Sequence, residues 1–78
     1  LVAKEMEHEQ KAIENYRISY ELDPGQTYLL QEISDIYYKL RDYQSALYWL
    51  RKAAQEGADI PPGNLEILEK AAMEEAGK

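Results

Sequence analysis

Apolar residues recur along the chain at steps of three and four, and no stretch alternates with a period of two. That spacing gathers apolar side chains on one face of a helix, so helices are predicted throughout. A first helix is predicted from about Ala3 to Leu22, ended by Asp23-Pro24-Gly25, where the proline restricts the residue before it and the glycine permits a turn. A second, from about Thr27 to Leu40, collects Leu29, Leu30, Ile33, Ile36, Tyr37 and Leu40 on one side. Arg41-Asp42 then leaves a very short link, which forces the following helix to run antiparallel. Asp42 suits the N-cap of this third helix, from Tyr43 to about Glu56, and Gly57 suits the position just past its end. A loop containing Pro61 and Pro62 leads to a fourth helix, roughly Asn64 to Ala76. There Leu65, Leu68 and Ala72 form one stripe, and Glu66, Glu69, Lys70 and Glu74 lie largely on the other side.

The pattern returns after 34 residues: Ala12 pairs with Ala46, Ile13 with Leu47, Tyr16 with Leu50, and Ser19 with Ala53, each matched in size or polarity. The first helix is therefore the counterpart of the third. This period and these residues resemble the tetratricopeptide repeat, a helix–turn–helix unit. The unit from Thr27 to Ile60 supplies Leu30, Ile33-Ser34, Tyr37, Tyr43, Ala46, Leu50 and Ala53 at matching places, and the half-unit before it supplies Ala12, Tyr16, Ser19 and Pro24. The resemblance implies an all-α fold of about four helices, with antiparallel helix pairs stacked as a short right-handed α-solenoid. Residues 1–26 would be the second helix of a preceding, truncated repeat, 27–60 a complete repeat, and 61–78 a capping helix or the first helix of the next repeat. Ala58 departs from the family's proline, and matching Pro24-Gly25 to Pro62-Gly63 implies four extra residues in the second inter-repeat loop, enough to shift the angle of the fourth helix. The segment LYWLRKAAQEG is also similar to the second helix of Sel1-like repeats, but the link KLRDY lacks the glycine-rich turn of that family. Small residues at Ser34 and Ala46 are expected to let the two helices of the pair approach closely, with Leu30, Ile33, Tyr37 and Leu50 filling the space around that contact.

Composition narrows the function. A chain of 78 residues buries only about 60 to 65% of its unfolded surface, so one thick core is not expected. The net charge of −6 divides as −3 over residues 1–26, −1 over 27–60 and −2 over 61–78, which argues against binding a phosphate backbone or an anionic membrane. Without cysteine there is no disulfide framework and no thiolate, and cytoplasm and periplasm are both compatible. No apolar run approaches the roughly 18 residues of a membrane span, so no direct membrane insertion is expected. The N-terminal LVAKEMEHEQK has no signal-peptide layout, lacks an initial methionine and reads as already helical, as expected of a piece of a longer array.

Catalytic and metal chemistry find little support. Glu5 and His8 form a single Glu-x-x-His, whereas a di-iron bundle needs that motif twice with two further carboxylates. His8 is read as solvated among helical carboxylates, Ser19 and Ser34 as packing residues, and Gly25 and Gly63 as turn residues rather than a phosphate cradle. No enzyme activity and no cofactor are expected.

Surface recognition remains. In the resembled family, stacked first helices line a concave groove, which here implies Tyr28, Gln31, Glu32, Asp35, Tyr38 and Lys39, an acidic and aromatic strip with one lysine. Family members that hold a C-terminal carboxylate use lysine and asparagine at such positions, where Glu32 and Asp35 stand. The strip is instead expected to take a neutral or basic peptide or partner helix. The plain alternative is that these residues are simply the wet side of an amphipathic helix. Residues 37 to 54 hold four of the seven tyrosines and the one tryptophan, in a chain with no phenylalanine. Tyr37 and Tyr43 are assigned to the core, Tyr38 to the groove, and Tyr48 and Trp49 to the outer side of the third helix, partly covered by the fourth helix or a partner. A second functional reading is self-association as a homo-oligomer through an apolar side of the first helix bearing Val2, Met6, Ile13, Tyr16 and Tyr20. A third is a regulatory or targeting segment of a larger assembly or enzyme.

Overall fold

Turn chemistry sets where each helix starts and stops. The computed structural model describes residues 2–77, with side chains from residue 7 onward. It contains α1 (Val2–Leu22), α2 (Tyr28–Lys39), α3 (Tyr43–Gln55) and α4 (Asn64–Ala76), with no strand among the described residues. After α1 the Asp23 carboxylate accepts from the Gly25 N–H at 3.2 Å and from the Gln26 side chain at 2.8 Å, closing the turn. At the start of α3 the expected cap forms. Asp42 accepts from the Ser45 N–H at 3.3 Å and from the Ser45 hydroxyl at 2.8 Å. Gly57 ends α3 with a φ of 93°, and the Gly57 and Ala58 N–H groups donate back to Ala54 and Ala53.

The α2–α3 link uses the same device with a less suitable residue. Arg41 adopts a φ of 63°, its N–H donating to the Tyr38 carbonyl at 3.0 Å while the Asp42 N–H donates to that of Tyr37 at 2.9 Å. A side chain in this left-handed conformation is strained, and glycine is not. Arg41→Gly should therefore stabilise the chain by about 0.5–1 kcal/mol in urea unfolding. A loss of stability would mean that the Arg41 side chain contributes more than its backbone costs.

Packing follows chain order: α1 lies on α2, α2 on α3 and α3 on α4. Named contacts show α3 running opposite to both α2 and α4. Buried Ser34 of α2 donates to the Ala46 carbonyl of α3 at 2.7 Å, and Gln31, a turn earlier, donates to the Asp59 carbonyl beyond the end of α3 at 3.1 Å. Between α3 and α4, Gln44 reaches the Ala72 carbonyl at 2.7 Å and Arg51 pairs with Glu69 at 3.0 Å. The ion pair is about half exposed and contributes little, whereas the buried Ser34 bond fixes the register of α2 on α3. Ser34 thus acts as more than a small residue: its hydroxyl is satisfied within the buried contact of the two helices.

The result is thin, 37 × 34 × 16 Å, and has two clusters in place of one thick core. Ile13, Ile33 and Ile36 form one, joined by Ala12, Tyr16, Leu40 and Trp49. Ala46, Leu47, Leu50, Leu68 and Ala72 form the other, joined by Tyr43, Ile60 and Leu65. Tyr37 packs against both.

Burial across the 34-residue pairs is uneven for a physical reason. Ile13 and Leu47 are both buried, but Ala12 and Tyr16 are only half-buried and Ser19 is exposed, whereas Ala46, Leu50 and Ala53 are all buried. Helices cover α3 on two sides, whereas α1 has a packed helix, α2, on one side only. The apolar side of α1 therefore differs from expectation. Ile13 is buried against α2, Tyr16 shares its cluster, and Tyr20 is half-buried; Ile18 and Leu22 are the exposed apolar residues instead, and the side chains of Val2 and Met6 lie outside the described residues.

One tie spans α1 and the end of α3. The Tyr20 hydroxyl donates to the Glu56 carboxylate at 2.9 Å. This bond first, then lost hydration and the charge of Glu56, raises the Tyr20 pKa above the ordinary tyrosine value. A raised folded-state pKa means the tie contributes fully below the unfolded value of about 10 and is lost as pH rises through the folded one. The stability difference between wild type and Tyr20→Phe should accordingly be flat from neutral pH up to about 9 and shrink above about 10. A difference independent of pH across that range would remove the tie from the account.

Candidate partner-binding groove

Because α2 and α4 both pack on α3 and run the same way, their outward faces flank a trough. At one end is an open hollow of about 210 Å³ lined by Asp35 and Tyr38 of α2, Leu50 of α3, and Asn64, Ile67 and Leu68 of α4, with Ser34 at its base. Buried Leu50 and Leu68 make an apolar floor, while Tyr38 (47% exposed) and Ile67 (58% exposed) stand on opposite rims. Further along, a second hollow is lined by Tyr38, Arg41 and Tyr43 facing Ala71, Glu74 and Glu75. Tyr38 belongs to both, and its ring meets that of Tyr43 edge-on, with centroids 5.5 Å apart and planes at 65°.

The strip expected on α2 is divided by this geometry. Asp35 and Tyr38 are brought together in the trough. Tyr28 and Glu32 are exposed on α2 without lining it, and the Tyr28 hydroxyl donates to Gln26 at 3.3 Å, back toward the preceding turn. Gln31 holds the α3–α4 loop through Asp59. Lys39 lies about 100° round the helix from Tyr38 and borders a different hollow, beside His8, Glu9 and Leu40. His8 is exposed there, and the side chain of Glu5, the other half of the Glu-x-x-His spacing, lies outside the described residues.

The Tyr48-Trp49 pair also separates. The rings touch edge-on at 5.3 Å, and Tyr48 is 61% exposed on the outer side of α3 as expected. Trp49 is not covered by α4. It is half-buried against the Ile13, Ile33 and Ile36 cluster, on the α1 side, because one residue's rotation turns it toward α1 and α2.

Sequence reasoning missed the α4 half of the trough. Glu74 falls on the expected wet face of the fourth helix, and Ile67 is an isoleucine standing off the Leu65, Leu68 and Ala72 stripe. A single exposed apolar residue is ordinary on a protein surface, so Ile67 gains meaning only from the hollow it shares with Tyr38. No helix among the described residues is long and apolar enough to cross a membrane. The chain matches no protein-family model, no curated protein and no solved structure.

Proposed function

We propose that this chain is a protein-interaction module of tetratricopeptide-like build, its helix pairs stacked as in a solenoid, which holds a neutral or basic segment of another protein in the trough between α2 and α4. One observation carries this reading: an apolar floor of Leu50 and Leu68 lies open between two exposed apolar rims, Tyr38 and Ile67, with the carboxylate of Asp35 beside it. Rigid aromatic and aliphatic rims supply contact area, and a carboxylate selects the sign of the partner's charge. Sequential helix contacts, two thin clusters and the 34-residue correspondence all suit a stacked-repeat architecture.

The test is affinity capture from native lysate with the wild-type chain, Asp35→Lys, and a control on the exposed side of α1, Glu14→Ala. A genuine trough partner should be lost about tenfold by Asp35→Lys, with the melting temperature unchanged, and retained by Glu14→Ala. A set of captured proteins identical for all three variants would sink the reading.

Self-association is the second reading, favoured by Ile18 and by Leu22, which is 83% exposed on α1. Light scattering over a dilution series separates the two, since a strict monomer at high concentration excludes it.

A further inference from the structure

We infer that the occupant of the trough is an amphipathic helix bearing a leucine-sized side chain and, two turns away, a lysine or arginine. This rests on the interaction reading above and specifies its partner. The residues of α4 lining the first hollow are Asn64, Ile67 and Leu68, and those lining the second are Ala71, Glu74 and Glu75. Each is seven residues after its counterpart, so the second hollow repeats the first two helical turns further on, about 10.5 Å along α4.

The two hollows differ in chemistry. The first, at about 210 Å³ and floored by leucines, takes one aliphatic side chain and falls short of the several hundred Å³ typical of a cofactor site. The second sets Glu74 and Glu75 against the single guanidinium of Arg41, and neither carboxylate is in an ion pair, Arg51–Glu69 being the one pair among the described residues. Its surplus charge is negative, and the complementary side chain is basic.

Spacing then selects the backbone of the partner. A helix lying along α4 repeats its own face after seven residues at the same rise, so residues seven apart meet both hollows. An extended strand covers about 10 Å in three residues, and residues three apart point to opposite faces. Residues two or four apart share a face but fall about 4 Å short or 3 Å long.

The test uses capped, alanine-based helical peptides of about 20 residues, long enough to be partly helical alone, titrated into the full chain and read by amide NMR shifts. One peptide carries leucine and lysine seven residues apart; others place the lysine five or nine residues away, or carry glutamate in its place. The expected result is shifts at Asp35, Tyr38, Ile67 and Glu74, with the seven-residue lysine peptide binding about tenfold tighter than the others. In the Glu74→Gln, Glu75→Gln double variant that preference should vanish while leucine-dependent shifts at Asp35 and Ile67 persist. Equal binding at all spacings, or a trough that takes only an extended peptide, would overturn the inference and leave the interaction reading standing. The same holds for trough residues unmoved by every peptide while an Asp35→Lys-sensitive partner is still captured; with no such partner either, both fail.

Discussion

Replacing Ile33 with alanine should remove about 2 to 5 kcal/mol of folding stability. Ile33 has no exposed surface and lies at the centre of the α1–α2 cluster with Ile13 and Ile36. Deleting its branch forfeits the transfer free energy of the lost methyl groups and leaves a cavity that rigid helices close only in part. The whole chain has roughly 4–12 kcal/mol to lose, taking the usual stability per residue. The variant is thus expected to be partly unfolded at 37 °C, by urea or thermal unfolding followed by circular dichroism. Ile67→Ala, which removes the same kind of side chain from the rim of the trough, should change stability by no more than about 0.5 kcal/mol. If the two variants lost equal amounts, the division into clusters and rim would be wrong.

Two neighbouring tyrosines should behave as differently. Tyr37→Ala is expected to cost about 2 to 3 kcal/mol, or on the order of 10 to 15 °C in melting temperature for a domain this small. Tyr37 packs against both clusters, so its loss loosens α1–α2 and α3–α4 together and should broaden the unfolding transition as their cooperation weakens. Tyr38→Ala gives up only its edge-on contact with Tyr43 on a half-exposed ring, which limits its cost to under about 1 kcal/mol. That contact adds to the groove-facing role expected of Tyr38. Partner binding should show the reverse order, weakened by Tyr38→Ala and, at temperatures where Tyr37→Ala is folded, spared by it. Equal melting losses at the two positions would refute the assignment of one ring to the core and the other to the trough.

Much of this was legible in the chain. Periodicity alone placed four helices, and Asp42, Gly57 and Gly63 ended or began them within a residue or so, because capping and turn preferences are local and act through one or two side chains. The resemblance to the repeat family pointed to Ser34 and Ala46 as the tight contact, but not to the hydrogen bond between them, since a small polar residue at a packing position has the same spacing whether or not its hydroxyl finds a partner. The left-handed Arg41 was hidden for a similar reason. Nothing in its side chain asks for that conformation; the short link between α2 and α3 imposes it.

The candidate site was half legible. Asp35 and Tyr38 were placed by their position on α2, whereas Ile67, Glu74 and Glu75 entered only once α4 stood beside α2 across α3. Trp49 and Ile13 moved inward for the same reason: a helix has two flanks, and the sequence of one helix says which residues are apolar but not which flank a neighbour will cover. By itself, then, the sequence determined the helices, their ends and the antiparallel turn from α2 into α3, and its resemblance to a known repeat pointed to the small-residue contact that joins the central pair. The tertiary structure alone decided how the apolar residues divide between two clusters and an open trough, because that depends on angles set by loops and on side chains far apart in the chain.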